Sequence, residues 1–172
     1  MIKKNKAIFL DRDGVLNKKR NDHVKSINEL EIFPNISQEI LKLKKKGFLI
    51  IVITNKSVIN RQIITIKRLE EIHLTIQKFL MKSSTSIDKF YFCPHRPDEN
   101  CICRKPNPGL IEQAISEYSI DVSKSWMVGD SITDIQAGEK AGCKTIFLKE
   151  SDSFTKILEI IEFNEKQVQT SK

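Results

Sequence analysis

Short, nearly uninterrupted apolar runs alternate with stretches of helical period along the chain, and that alternation leaves little besides βαβ units around a parallel sheet. Ala7–Leu10 and Phe48–Ile53 contain no charged residue, as strands covered on both faces require. Shorter or less pure runs follow at Ile87–Phe92, Trp126–Val128 and Thr145–Leu148. Between them, Ile36, Ile40, Leu41 and Leu43 form one helical stripe that stops before Gly47, and Ile66, Leu69, Ile72, Ile76 and Phe79 form another. Both stripes read as core, and His73, on the second segment, reads as structural. Asn107 and Pro108 suit an N-cap and a first helical position leading into Leu110, Ile111, Ala114 and Ile115. A last helix is expected over Phe154–Phe163. The expected architecture is α/β, a parallel sheet with helices on both faces, in one domain over 1–165 followed by a polar tail over 166–172.

The chain carries 29 Lys and Arg against 22 Asp and Glu, a net charge of +7 that favours anionic partners. Lys3, Lys4 and Lys6, then Lys18, Lys19 and Arg20, then Lys42, Lys44, Lys45 and Lys46 could form a nucleic-acid footprint. Scattered among acids, they read more simply as solvated faces, and a phosphorylated small molecule would be attracted equally well. With 7% aromatic residues there is no clustered stacking platform for bases, so no nucleic-acid partner is expected. The longest apolar run, 48–53, is far too short to span a membrane, and no signal-like apolar segment follows Met1. These features lead us to expect a cytoplasmic monomer with no membrane partner.

Asp11-Arg12-Asp13-Gly14 stands where the first strand ends, so its two carboxylates, two residues apart, would share one side if strand geometry persists. Ligands of open α/β sheets bind beyond the carboxyl ends of the strands, and Gly14 permits a sharp turn there. Taken alone this could be a solvated Asp-Gly turn. Matching chemistry at Thr54-Asn55, Arg104-Lys105 and Gly129-Asp130, with Asp134, makes the combination specific. Asp11, Asp13 and Asp130 offer the hard oxygens that Mg²⁺ prefers, and the cation would relieve their repulsion. A carboxylate nucleophile implies phosphoryl transfer through an aspartyl-phosphate, with the Thr54 hydroxyl, the Asn55 amide and the Lys105 ammonium orienting the phosphate.

Cys93-Pro94-His95, followed after five residues by Cys101-Ile102-Cys103, supplies three sulfurs and one imidazole, a full tetrahedral set for structural zinc. All four are expected in a loop, which has little apolar surface of its own to order it. Zinc there would also fix Arg104 and Lys105, the next two residues. Cys143 stands apart and reads as a small core or turn residue.

In order, Asp11-Arg12-Asp13-Gly14-Val15, Thr54, Lys105 and Gly129-Asp130-Ser131-Ile132-Thr133-Asp134 resemble the four motifs of the haloacid dehalogenase (HAD) superfamily of phosphatases, over about residues 7–148. The resemblance implies a Rossmann-like HAD fold, with Asp11 as nucleophile and Asp13 as general acid and then base. It implies Mg²⁺ held by Asp130, Asp11 and the Asp13 backbone carbonyl, Lys105 paired with the nucleophile and phosphate, and Asp134 and Ser131 in orienting roles. The spacing between motifs leaves no room for a large inserted cap domain.

The cysteine stretch, Cys-Pro-His-Arg-Pro-Asp and then Cys-Ile-Cys-Arg-Lys-Pro-Asn-Pro-Gly, is similar to the zinc loop of the D-glycero-D-manno-heptose 1,7-bisphosphate 7-phosphatases and of the related histidinol-phosphate phosphatases. Val15, Asn17 and Trp126-Met127-Val128-Gly129-Asp130 are similar to the heptose branch. That resemblance implies an enzyme taking a phosphomonoester from a sugar bisphosphate, with contacts at Asn17, Lys19 to His23, Thr54, Asn55, Lys56, Ser57 and Arg104. The alternatives are a histidinol-phosphate phosphatase and, in another class, a zinc-loop nucleic-acid binder or nucleic-acid end phosphatase. Where the heptose branch has Asn-Gln-Ser-Gly-Ile-Ala-Arg-Gly, this chain has Asn55-Lys56-Ser57-Val58-Ile59-Asn60-Arg61-Gln62. Lys56 adds a charge beside the pocket, and Val58 and Gln62 replace two glycines.

Overall fold

A computed structural model describes residues 4–170, with side chains described through 167. Lys3 and the last two residues of the expected tail lie outside the described residues. Five parallel strands run β1 (Lys6–Leu10), β2 (Phe48–Asn55), β3 (Lys89–Cys93), β4 (Trp126–Gly129) and β5 (Lys144–Phe147), in the order β3-β2-β1-β4-β5. The helices are α1 (Ile36–Lys45), α2 (Ile66–Met81), α3 (Gly109–Tyr118), α4 (Ile132–Lys140) and α5 (Thr155–Thr170).

Side chains alternate along each strand, and the two sets build two cores. Ile8, Leu10, Ile50, Val52 and Val128 meet Ile40 and Leu43 of α1, Ile76 and Leu80 of α2, and Ile157 and Ile161 of α5. Ala7, Phe9, Ile51, Ile53 and Met127 meet Leu110, Ile111 and Ala114 of α3 and Ala137 of α4. With both faces covered, the apolar character of β1 and β2 is explained. Cys143 belongs to the second core.

Several boundaries differ from expectation. Helix α3 starts at Gly109 with Pro108 in the capping position, one residue later than expected. Helix α5 extends well past Phe163, to Thr170, so most of the expected tail is helical; Lys46 pairs with Glu162 and Glu165 and supports the added turn. No inserted domain interrupts the described residues: 14–35 is a loop with one short 3₁₀ turn, and 56–65 is a loop.

His73 of α2 is buried and stacked on Phe90, with ring centroids 4.4 Å apart. Burial, and then the positive charges of Arg12 and Lys56, push its pKa down to about 3. The unfolded chain therefore binds this proton below pH ~6.5 while the native state refuses it, so stability is lost as pH falls from ~6.5 toward 3. His73→Leu is expected to remove that component. Between pH 7.5 and pH 5 the wild type should lose about 1–2 kcal/mol more than the variant in urea unfolding. Parallel losses would refute the assignment.

Candidate functional site

The register of the sheet sets the site. Leu10 is level with Val52 and Val128, so Asp11 leaves β1 beside the ends of both neighbours, and its amide donates to Val128 O at 2.9 Å. Thr54 and Asn55 close β2, and Asp130 follows β4. Gly14 turns the chain back at φ +86°, where a side chain would be strained and would collide with Asp130. Gly129 has the same intolerance of a Cβ, because Asp134 lies against it.

Lys105 is buried among three oxygens: Asp11 Oδ1 at 2.9 Å, Asp134 Oδ1 at 2.6 Å and Ile53 O at 2.7 Å. The Asn55 side-chain amide holds its backbone, accepting from Lys105 N and donating to Lys105 O, both at 3.1 Å. This amide clasp ties the end of β2 to the loop that carries the lysine. Asp134 sits in the first turn of α4, where it accepts from Ser131 N at 3.1 Å while the Ser131 hydroxyl caps the helix. Burial and the neighbouring Asp11 push the Asp134 carboxyl up to about 6, against the pull of Lys105.

Of the carboxylates expected at the Mg²⁺ site, Asp11 and Asp130 converge, and Asp134 joins them. Oxygens of Asp11, Asp130 and Asp134 lie within 4.8 Å of one another, whereas the Asp13 carboxylate points elsewhere. It accepts from Arg12 at 2.8 Å and Asn17 at 2.9 Å on one oxygen and is paired with Lys56 on the other. The strand ends at Leu10, so the two-residue period no longer governs Asp13. Burial opposes its ionisation, but Lys56 and Arg12 outweigh that and hold the carboxyl below the usual carboxylate range.

Asn17 and Lys56, expected to touch the substrate, are buried and paired with Asp13. Burial and the nearby Arg12 guanidinium bring Lys56 down to about 8. Sequence reasoning missed Arg12 itself, which is fully buried with its guanidinium on Asp13; its place inside Asp-Arg-Asp was the available signal. Thr54 and Ser57 are buried, and Arg104 lines a cleft of about 380 Å³ that shares Asn55 and Lys105 with the site.

Cys93, His95, Cys101 and Cys103 converge as a second cluster. Cys93 Sγ lies 3.1 Å from Cys103 Sγ and 3.5 Å from Cys101 Sγ, and His95 Nδ1 lies 3.2 Å from Cys103 Sγ. These spacings approach the edge of roughly 3.7 Å that zinc–sulfur bonds of about 2.3 Å would give a tetrahedron. Contrary to expectation Cys93 is not in a loop: it is the last residue of β3, level with Asn55, so the cluster is anchored to the sheet. Arg104 Nη1 donates to His95 O at 3.0 Å, joining the cluster to the cations that follow it.

The two clusters suit different metals. Asp11 and Asp130 converge, with Asp130 Oδ1 buried and without a hydrogen-bond partner among the described residues, and fit a hard divalent cation, while Asp134 beside them is already paired with Lys105. The sulfur-rich set fits zinc.

A HAD-hydrolase-like family model matches residues 102–165. The D-glycero-beta-D-manno-heptose-1,7-bisphosphate 7-phosphatase of Neisseria meningitidis serogroup A is 39% identical over 139 residues, 81% of this chain and 74% of that protein. The enzyme of the same name from Helicobacter pylori strain J99 is 41% identical over 149 residues, 86% of this chain and 85% of that one. The crystal structure of D,D-heptose 1,7-bisphosphate phosphatase from B. bronchiseptica, complexed with magnesium and phosphate, superposes with a TM-score of 0.79 at 35% identity, covering 83% of this chain and 79% of that one.

Proposed function

The chain belongs to the HAD-type heptose-bisphosphate phosphatases, and from that premise we propose that it hydrolyses the 7-phosphate of a D-glycero-D-manno-heptose 1,7-bisphosphate through an aspartyl-phosphate on Asp11. One observation carries the chemistry: Lys105 is buried between Asp11 and Asp134 at the point where three strand ends meet. Lys105 donates to Asp11 Oδ1, which leaves Oδ2 to attack phosphorus. The Oδ2–P bond forms as the phosphorus–sugar oxygen bond breaks, and Asp13 protonates the departing oxygen. In the second half Asp13 takes a proton from the water that attacks the aspartyl-phosphate, restoring Asp11.

Lys56 and Arg12 keep Asp13 ionised, the form needed for that second half. The first half needs it protonated, so the substrate phosphate must draw Lys56 partly away from it. Asp11, Asp130 and the Asp13 backbone carbonyl would hold Mg²⁺, which when bound neutralises charge on the transferred phosphoryl group. The Thr54 hydroxyl and the Asn55 amide orient that group, and Arg104 faces the rest of the sugar from its cleft.

Structural zinc on Cys93, His95, Cys101 and Cys103 would hold Arg104 and Lys105 in place. Cys103→Ser is expected to remove most of the zinc found by elemental analysis and to cut activity at least tenfold, since tuning residues around metal sites carry roughly 10–100-fold effects. Unchanged zinc content would refute the ligand set. Such thiols call for a reducing compartment, which supports a cytoplasmic setting; no helix among the described residues is long and apolar enough to cross a membrane. Lys6, Lys18, Lys42, Lys44 and Lys46 are paired with acids, which argues against a nucleic-acid face.

The deciding assay is Mg²⁺-dependent phosphate release from both anomers of the heptose bisphosphate, from histidinol phosphate and from a 5′-phosphorylated oligonucleotide, with Asp11→Asn as blank. A heptose preference is expected. Preference for histidinol phosphate or the oligonucleotide would overturn the substrate while keeping the chemistry.

A further inference from the structure

Lys19 places its ammonium 2.7 Å from Asp130 Oδ2, on one of the carboxylates that a divalent cation would need. The lysine side chain is 59% exposed and the aspartate 15%, so the lysine is the partner free to leave. Its backbone is pinned just upstream: Lys18 N donates to Glu31 O at 2.8 Å, and Lys18 O accepts from Asn17 Nδ2 at 2.8 Å. Only the side chain has to move. Lys19, Gly14, Val15 and Asp130 line an open cleft of about 780 Å³, which gives the ammonium room to withdraw.

An ammonium and a divalent cation repel, and Asp130 cannot hold both closely. We infer that Lys19 is a built-in competitor for the metal: it neutralises Asp130 until the divalent cation arrives, then gives way, and so sets the metal affinity of the site. The inference rests on the Mg²⁺ reading proposed above. Among the described residues no neighbouring cation takes over this task, because Lys105 is committed to Asp11 and Asp134, and Lys56 to Asp13. Once displaced, the Lys19 ammonium remains in the cleft as an added positive charge beside the metal and an incoming phosphate.

The test is the dissociation constant of Mg²⁺ alone, measured by isothermal titration calorimetry on wild type, Lys19→Gln and Lys18→Gln. Lys18 carries the same charge one residue away but pairs with Glu31, so its variant controls for the long-range charge. Both residues are exposed and their removal leaves the core intact. K19Q is expected to bind Mg²⁺ about three- to tenfold more tightly than wild type, the range expected when an exposed ion pair and a nearby like charge are both removed. K18Q should stay within about twofold of wild type. Equal affinities in wild type and K19Q, or equal gains in both variants, would overturn the inference while the Mg²⁺ reading stands. A wild type that binds no Mg²⁺ would overturn both.

Discussion

Asp11→Asn is expected to lower phosphate release by about four orders of magnitude or more, because an amide cannot form the aspartyl-phosphate and the remaining groups act only as a unit with it. Stability should barely change. The amide loses a charge partner in Lys105 but also relieves repulsion from Asp130 and Asp134, whose oxygens lie within 4.8 Å. Lys105 keeps Asp134 at 2.6 Å and Ile53 O at 2.7 Å. The expected shift in unfolding free energy is well below the ~3–5 kcal/mol of a broken buried pair, since Lys105 keeps Asp134 and the lost attraction is offset by relieved repulsion. Single-turnover kinetics and urea unfolding on one preparation read both quantities. A variant retaining a tenth of the activity would exclude Asp11 as nucleophile.

Lys105→Met should match that loss of activity and add a structural one. Lys105 and Asp134 are both buried, and removing one partner leaves an uncompensated charge in the interior, a change that costs about 3–5 kcal/mol. The contrast between the two variants is the useful result: both silent, one stable and one not. If K105M unfolded at the same urea concentration as wild type, the buried ion triad would not be the structural tie described above.

The strands were legible because both faces of the sheet are covered, which forces β1 and β2 to be apolar throughout, and the polar residue after each run marks the rim where ligands meet the sheet. Asp11, Thr54 and Asp130 follow from that rule. Asp13 does not, because beyond Leu10 side-chain direction depends on the turn and on who waits for the carboxylate: here Arg12, Asn17 and Lys56. The pairing of Lys19 with Asp130 joins residues 111 apart, and no local pattern encodes such a meeting. The cysteine spacing announced a metal cluster, but not that Cys93 would close a strand or that His95 would face the sulfurs through Nδ1. Helix α5 outran its apolar stripe because acids on its surface find Lys46 on a different element.

Lys105 closes its triad across 94 residues to Asp11, and Asn55 clasps it across 50. No fragment that ends before Lys105 can set its ammonium on Asp11, and none that ends before Asp134 can complete the charge balance around it. During synthesis, then, the nascent chain has no working centre until β4 and the first turn of α4 have emerged and docked, and contacts this distant in sequence are the slow ones to form. Under the proposed mechanism, activity would report the completed fold, and an arrested or truncated chain would release no phosphate.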